Sequence, residues 1–300
     1  MSGGDVLTLT VDLQELDAQR VEDACFGAGA LAVVYTDTRD DAILEPAPGE
    51  FRLWPKPRLQ ATFAADVDAT LLRPVLAAAL NIAPARLQVE WLRDRAWERE
   101  WLKDFHATRF GRRLWVCPTH EQVNDLNALV VKLDPGLAFG TGTHPTTALC
   151  LEWLDSQAPL SGTIIDYGCG AGILALAALR LGAHQVFCHD IDPQALIATQ
   201  DNARANDLSA RLTIVAGADA LPKDADLLLA NILSGPLCAL AGNFAAHLRA
   251  GARVLLAGLL VAQAPVVEKA YAPWFELARV ADRDGWVCLA GTRLSRKVAS

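Results

Sequence analysis

The spacing of apolar residues changes near residue 118 and divides the chain into two parts. In the first part, apolar and polar residues alternate as in half-buried strands, and two stretches instead show helical spacing. The predicted elements are strand 5–13, helix 16–28, strand 30–36, strand 59–64, helix 68–82 and strand 86–92. This βαββαβ order predicts a small ferredoxin-like α+β domain over residues 1–92. The charged, proline-rich stretch 38–58 predicts a loop insertion within it.

The second part follows a different pattern. After Pro118, strands alternate with helices up to about residue 279, which is typical of a parallel sheet covered by helices. Two β-rich runs within 275–294 flank Asp284-Gly285 and predict a closing antiparallel hairpin. We therefore expect an α/β domain over residues 106–300.

A charged stretch lies between the two parts. Residues 93–105 carry Trp97 and Trp101 four positions apart, and this spacing predicts a linking helix with one aromatic face. The predicted boundaries are thus 1–92, 93–105 and 106–300.

Composition excludes several classes of protein. The 300 residues have a net charge of −8, which disfavours direct nucleic-acid binding as the main role. The best apolar run, Val254–Ala262, is too short to span a bilayer, and the N-terminus lacks the pattern of a secretory signal. Seven scattered cysteines without a C-x-x-C pair predict reduced thiols and no zinc site. We expect a cytoplasmic protein without a membrane segment.

The negative charge is concentrated in the first part of the chain. Residues 1–92 hold seven Lys and Arg against fourteen Asp and Glu, a net charge of −7, whereas residues 93–300 are nearly neutral. An acidic domain steers a basic partner toward the protein. The alternative is a solvated surface that keeps the protein soluble.

A glycine-rich loop in the second part predicts a nucleoside site. Residues 163–172 read TIIDYGCGAG, in which an apolar strand leads to Asp166 and to a turn with Gly168 and Gly170. A dinucleotide fingerprint would need glycine where Ile173 stands, and no G-K-[ST] follows, so nicotinamide-type and Walker sites are disfavoured. The next strand ends in Asp190, where a carboxylate accepts hydrogen bonds from both hydroxyls of a ribose. The alternative is a tight turn with a helix-capping acid.

Two further motifs surround this loop. Residues 134–147 read DPGLAFGTGTHPTT; Thr143 is expected to cap the following helix, which places Thr147 in its first turn, near N–H groups that attract a carboxylate. Simple capping is the alternative for Thr146 and Thr147, and a structural or pocket-wall role is favoured for His144. A strand in 226–237 delivers Asn231 at its carboxyl end, where ligands bind in open α/β sheets. The alternative is that Asn231 caps a helix.

The glycine loop and its flanking strands resemble class I S-adenosylmethionine-dependent methyltransferases, in which Asp166 would orient the loop or meet the amino group of the cofactor. Together with REWLKDFHATRFGRRLWVCP (99–118), the motifs DPGLAFGTGTHPTT and ANILSGPL resemble the bacterial ribosomal protein L-eleven methyltransferases. The resemblance covers essentially the whole chain. It implies a seven-stranded, Rossmann-like methyltransferase domain, preceded by a ferredoxin-like substrate-recognition domain and joined to it by a helix. The stretch 38–58 departs from the family's pattern.

The resemblance also implies a reaction and a set of site residues. The family transfers methyl groups from S-adenosylmethionine to lysine ε-amines and to the N-terminal α-amine of a large-subunit ribosomal protein. The implied cofactor contacts are Thr147, Gly168, Asp190 and Asn231, with Phe139, Gly140 and Gly170 lining the same pocket. Asn231 would also orient the amine, without a general base, although the Pro-Pro-aromatic residues that often follow such an Asn are absent. We expect a monomer. The alternatives are a methyltransferase for another protein or a small molecule, a non-catalytic cofactor-binding scaffold, and a hydride-transfer enzyme, the last disfavoured by Ile173.

Overall fold

The computed structural model describes residues 6–38, 53–92, 106–133 and 144–295. The chain forms two compact units, 1–97 and 98–300. The predicted linking helix 93–105 lies outside the described residues, so that helix and the boundaries it implies stay predictions.

The first unit has the predicted βαββαβ order. Its elements are β1 (Val6–Asp12), α1 (Ala18–Gly27), β2 (Ala32–Asp37), β3 (Pro57–Phe63), α2 (Ala69–Leu80) and β4 (Gln88–Leu92). The strands form one antiparallel sheet in the order β2-β3-β1-β4. This topology confirms the ferredoxin-like prediction.

Alternation along the strands explains why this sheet forms. Leu7, Leu9 and Val11 are all buried and face the same side as the buried members of β3, while the residues between them face the other side. Both helices begin at an aspartate whose carboxylate accepts a backbone N–H, Asp17 for α1 and Asp68 for α2. The strand that follows the predicted insertion begins at Pro57, two residues earlier than expected.

The second unit contains a seven-stranded sheet. Its strands are β8 (Thr163–Tyr167), β9 (Gln185–His189), β10 (Leu212–Ile214), β11 (Ala225–Asn231), β12 (Leu248–Leu260), β13 (Phe275–Arg283) and β14 (Trp286–Arg293). They lie in the order β10-β9-β8-β11-β12-β14-β13; the first five are parallel, and β13 and β14 form the predicted antiparallel hairpin. The order confirms the predicted seven-stranded domain.

Helices cover both faces of this sheet. They are α3 (Pro145–Ser156), α4 (Ile173–Arg180), α5 (Pro193–Ala205), α6 (Ser234–His247) and α7 (Ala264–Tyr271). One apolar core contains the buried residues of α3 and α4, and a second contains those of α6 and α7. The strand order reverses between β8 and β11, and the carboxyl ends of strands at such a switch point form a crevice in which ligands bind. No helix in the described parts of the chain is both long enough and apolar enough to cross a membrane.

A small third sheet was not predicted. It consists of β5 (Thr108–Phe110), β6 (Leu114–Pro118) and β7 (Leu129–Leu133), with β5 antiparallel and β7 parallel to β6. The turn between β5 and β6 is fixed by Asp155 of α3. This carboxylate accepts backbone N–H groups from Arg112 (2.6 Å), Arg113 (3.3 Å) and Leu114 (3.2 Å).

Removing this carboxylate should destabilise the second unit. Asp155 is only 7% exposed, so Asp155→Ala leaves the backbone donors it serves without an acceptor. We expect the free energy of unfolding to fall by about 3 kcal/mol, measured by urea denaturation. The control is Asp201→Ala, which removes only an exposed ion pair with Arg204 and should change stability by less than ~1 kcal/mol. Equal losses in the two variants would contradict the anchoring role of Asp155.

Candidate active site

The glycine loop after β8 is held in a conformation that favours glycine. Gly168, Gly170 and Gly172 have φ values of 75°, 55° and 81°, in the left-handed region. A Cβ at Gly168 would lie 2.4 Å from Cγ2 of Ile232, the residue after β11. A side chain at Gly168 would therefore collide with the end of the neighbouring strand.

Backbone hydrogen bonds fix the loop to the element beside it. The N–H of Gly168 donates to the carbonyl of His189 at the end of β9 (2.7 Å). The hydroxyl of Thr199, on α5, donates to the carbonyl of Gly170 (2.8 Å). The loop is thus ordered by bonds to both β9 and α5.

Asp190 stands directly after β9 and contacts the glycine loop. One carboxylate oxygen accepts the N–H of Gly170 (2.9 Å), and the other accepts the N–H of Asp192 (3.0 Å). The side chain is half-buried. Asp192 caps α5 by accepting the N–H of Gln194, so the helix-capping acid of the alternative is Asp192, and Asp190 is left to the glycine loop. Binding of a ribose by Asp190 stays a prediction.

Asp166 lies beneath the loop, with 1% of its surface exposed. Its carboxylate accepts the N–H of Ala175 in the first turn of α4 (2.9 Å). Burial raises the pKa of Asp166 to about 7, against the lowering effect of the Ala175 N–H, and the negative charge of Asp190 raises it further. This position favours the prediction that Asp166 orients the loop over the one in which it meets a ligand.

The start of α3 differs from the prediction. His144 is the N-cap, in place of Thr143, because its Nδ1 accepts the N–H of Thr146 (3.3 Å) and lies 2.7 Å from the Thr146 hydroxyl. Thr143 itself is outside the described residues. Burial lowers the pKa of His144. The capping expected of a threonine is therefore supplied by the imidazole.

Two of the three motifs meet at Asn231. Its Nδ2 donates to Oγ1 of Thr147 at 3.3 Å, which joins the end of β11 to the first turn of α3. Thr147 is 2% exposed, whereas Asn231 is half-buried. Helix α6 begins with Leu233 as its N-cap, so the alternative of Asn231 as a helix cap is wrong.

An aromatic contact links the N-cap of α3 to the start of β14. The rings of His144 and Trp286 meet edge to face, with centroids 4.9 Å apart. Trp286 begins β14 and pairs with Leu260 at the carboxyl end of β12. His144 and Trp286 lie far apart in the chain, so no local sequence pattern signals their contact. This contact joins the first turn of α3 to the start of β14, and a pocket-wall role for His144 stays a prediction.

The structure thus places Gly168, Gly170, Asp166 and Asp190 together at the ends of β8 and β9. Thr147 and Asn231 lie together at the end of β11. Phe139 and Gly140 fall in 134–143, outside the described residues. Ile191, which the sequence analysis does not single out, is 92% exposed between Asp190 and Asp192. Within the described ranges, no group of three or more His, Cys, Asp or Glu could hold a metal ion.

Comparison with known proteins shows similarity over nearly the whole chain. A family model described as ribosomal protein L11 methyltransferase (PrmA) matches residues 5–294. The ribosomal protein L11 methyltransferase of Alkalilimnicola ehrlichii is 48% identical over 288 residues, 95% of this chain and 98% of that protein. That of Pseudomonas aeruginosa is 46% identical over 277 residues, 92% and 94% of the two chains. A solved structure of ribosomal protein L11 methylase from Lactobacillus delbrueckii subsp. bulgaricus is 30% identical, with a TM-score of 0.59, and covers 64% of this chain and 100% of that chain.

The raised pKa of Asp166 predicts a pH-dependent stability. The folded protein keeps this carboxyl protonated up to about pH 7, whereas the unfolded chain ionises it near 3.8. Stability is therefore lost as pH rises from 4 through 7. In Asp166→Asn this loss should be absent, so the stability difference between the variant and the unsubstituted protein should shift in favour of the variant by up to about 4 kcal/mol between pH 4 and pH 8. Urea denaturation at several pH values measures this difference, and a constant difference would contradict it.

Proposed function

Because the chain belongs to the ribosomal protein L11 methyltransferase family, we propose that it methylates lysine ε-amines and the N-terminal α-amine of ribosomal protein L11. The family match confirms the predicted enzyme class, a protein methyltransferase, and the predicted methyl donor, S-adenosylmethionine. The observation that carries the proposed site is the convergence of Gly168, Asp190 and Asn231 at the carboxyl ends of adjacent parallel strands.

The residues at these strand ends fit S-adenosylmethionine. Positive φ angles at Gly168 and Gly170 let the backbone approach the methionine part closely. Asp190 has carboxylate lone pairs beyond those used by Gly170 and Asp192, and these accept both ribose hydroxyls. Thr147 stands in the first turn of α3, where the positive end of the helix dipole favours the cofactor carboxylate. Phe139 and Gly140 are proposed to line the same pocket.

The chemistry requires the enzyme to align an amine and exclude water. When bound, S-adenosylmethionine would supply a methyl group on a positively charged sulfur, which would leave as a neutral thioether when the sulfur–methyl bond breaks, and the residues around Asn231 would hold the amine in line with that bond. Burial of the amine beside Asn231 disfavours the ammonium form, so the amine releases its proton to solvent as it enters the site, without a general base. The Oδ1 atom of Asn231 and the carbonyl of Ile232 accept the amine hydrogens and turn the lone pair toward the methyl group.

The carbonyl of Ile232 lies against the backbone of β12 at Gly258. A Cβ at Gly258 would lie 2.4 Å from this oxygen, and Gly258 has a φ of 86°. Because Gly258 has no side chain, β12 can approach the backbone of Ile232 this closely. This arrangement supports a fixed orientation for the proposed amine acceptors.

We propose that the first unit recognises the substrate protein. Its net negative charge suits a substrate that presents lysines, and steering of this kind raises the association rate. The family match extends into this unit, from residue 5, which favours a protein substrate over a small molecule. A ribosomal substrate is consistent with a cytoplasmic, monomeric enzyme that has no membrane contact and does not itself bind nucleic acid.

The proposed function is tested by incubating the protein with labelled S-adenosylmethionine and purified L11. We expect the mass of L11 to increase by whole methyl groups, located on lysines and the N-terminus by fragmentation. In Asp190→Ala, the Kd for S-adenosylmethionine should rise ~100-fold, because two hydrogen bonds to a charged group are lost. The matched control is Asp201→Ala, which removes an exposed carboxylate on α5 that is paired only with Arg204 and should leave this Kd unchanged. Unmodified L11 would overturn the proposed function, and equal Kd values in the two variants would overturn the role of Asp190.

The role of Asn231 predicts a separation of turnover from binding. In Asn231→Ala, kcat for L11 should fall ~100-fold, because the amine loses its orientation. The Kd for S-adenosylmethionine, measured by calorimetry, should change less than ~10-fold, since the loop and Asp190 are intact. Asn243→Ala, on the exposed side of α6, serves as the control. Full turnover in Asn231→Ala would exclude the orienting role.

A further inference from the structure

Leu233 occupies a position where a leucine weakens its own helix. It is the N-cap of α6 and makes no side-chain capping bond. Ser, Thr, Asp and Asn are preferred at N-caps because their side chains accept a free backbone N–H, which leucine cannot do. The side chain is 56% exposed, so Leu233 is not explained by core packing either.

The position of Leu233 links it to the active site. It follows Asn231 by two residues and Ile232 by one, and Ile232 packs against Gly168 of the glycine loop. The start of α6 is therefore the rim of the crevice beyond Asn231.

A second exposed apolar residue stands at the end of the neighbouring strand. Val261 follows β12 directly and is 39% exposed. Its N–H donates to the carbonyl of Gly285 (2.9 Å), next to Trp286. The last pair between β11 and β12 is Asn231 with Ala257, so Leu233 and Val261 follow it by two and four residues, on the same edge of the sheet as the contact between Trp286 and His144.

The chemistry of a lysine substrate explains an apolar rim at this place. A lysine carries its amine on a chain of methylenes, which must pass the rim when the amine reaches Asn231. Apolar side chains gain free energy by removing these methylenes from water. They also exclude water around the amine, which favours its neutral form.

We propose that Leu233 and Val261 form an apolar collar that contacts the methylene chain of the acceptor lysine and positions its amine at Asn231. This inference rests on the proposed function and names the surface that receives the acceptor side chain. The collar stands where related amino-methylating enzymes often have Pro-Pro-aromatic residues after the Asn, and this chain instead has Ile232, Leu233 and Ser234. An extended aliphatic chain needs apolar contact on its sides rather than a clamp for a flat group.

The test compares Leu233→Ser and Val261→Ser with Val266→Ser, a matched control whose valine is 55% exposed on α7. In each collar variant we expect the KM for L11 to rise ~5-fold through lost apolar burial, with the Kd for S-adenosylmethionine unchanged. In Leu233→Ser, the serine caps α6, so the melting temperature should rise by about 2–4 °C. A variant that is more stable yet binds its substrate more weakly cannot be explained by damage to the fold.

Two results would overturn the collar. One is an unchanged KM for L11 in both collar variants. The other is a parallel rise in the Kd for S-adenosylmethionine, which would show that the substitutions disturb the cofactor site instead. Failure of the proposed function is distinguishable from both, because the unsubstituted protein would then leave L11 unmethylated.

Discussion

The hydrogen bond from the Gly170 N–H to the Asp190 carboxylate is the contact on which the site depends. It joins the loop after β8 to the tip of β9, two elements that are adjacent only because their strands are parallel neighbours. A carboxylate that accepts backbone N–H groups with both of its oxygens is restrained in position. The same bond thus orders the loop and holds Asp190 where a ribose is proposed to lie. The glycine loop and Asp190 therefore hold each other in place and do not act independently.

The ends of β8, β11 and β12 also lie close together on the acceptor side of the site, next to the glycine loop. Ile232 fills the space that a side chain at Gly168 would need, and its carbonyl fills the space that a side chain at Gly258 would need. Three neighbouring strands therefore contact one another through Ile232, by its side chain at Gly168 and by its backbone at Gly258. Such packing suits a reaction whose barrier depends on alignment, because a shift of the order of ~1 Å in one strand end costs much of the rate.

Local patterns predicted most of the fold, and long-range contacts account for what was missed. The glycine loop and Asp190 were found because strand, turn, helix and acid follow one another within a short segment. The sheet of β5, β6 and β7 was missed because its turn is held by Asp155, a residue more than forty positions away in the sequence. The contact between Asn231 and Thr147 spans 84 positions, and only the assembled sheet shows it. His144 replaced Thr143 as the cap because an imidazole nitrogen can accept the same N–H, a substitution that capping preferences do not anticipate.

The two sides of the site meet opposite physical demands. A charged, hydroxylated cofactor has to exchange its water for fixed polar partners, and the described residues on that side are a carboxylate, backbone groups and a helix N-terminus. An acceptor amine has to lose its water and its proton, so polar partners beyond those that orient the lone pair would stabilise the ammonium form and slow the reaction. An apolar rim next to a single amide meets that second demand. A leucine at the N-cap of α6 fits this demand, because its apolar side chain excludes water, and a capping aspartate there would place a negative charge beside the amine and raise the pKa of the amine. Helix α6 is therefore less stable than it would be with a polar N-cap. In return, the acceptor side carries no added negative charge that would stabilise the protonated form of the substrate amine.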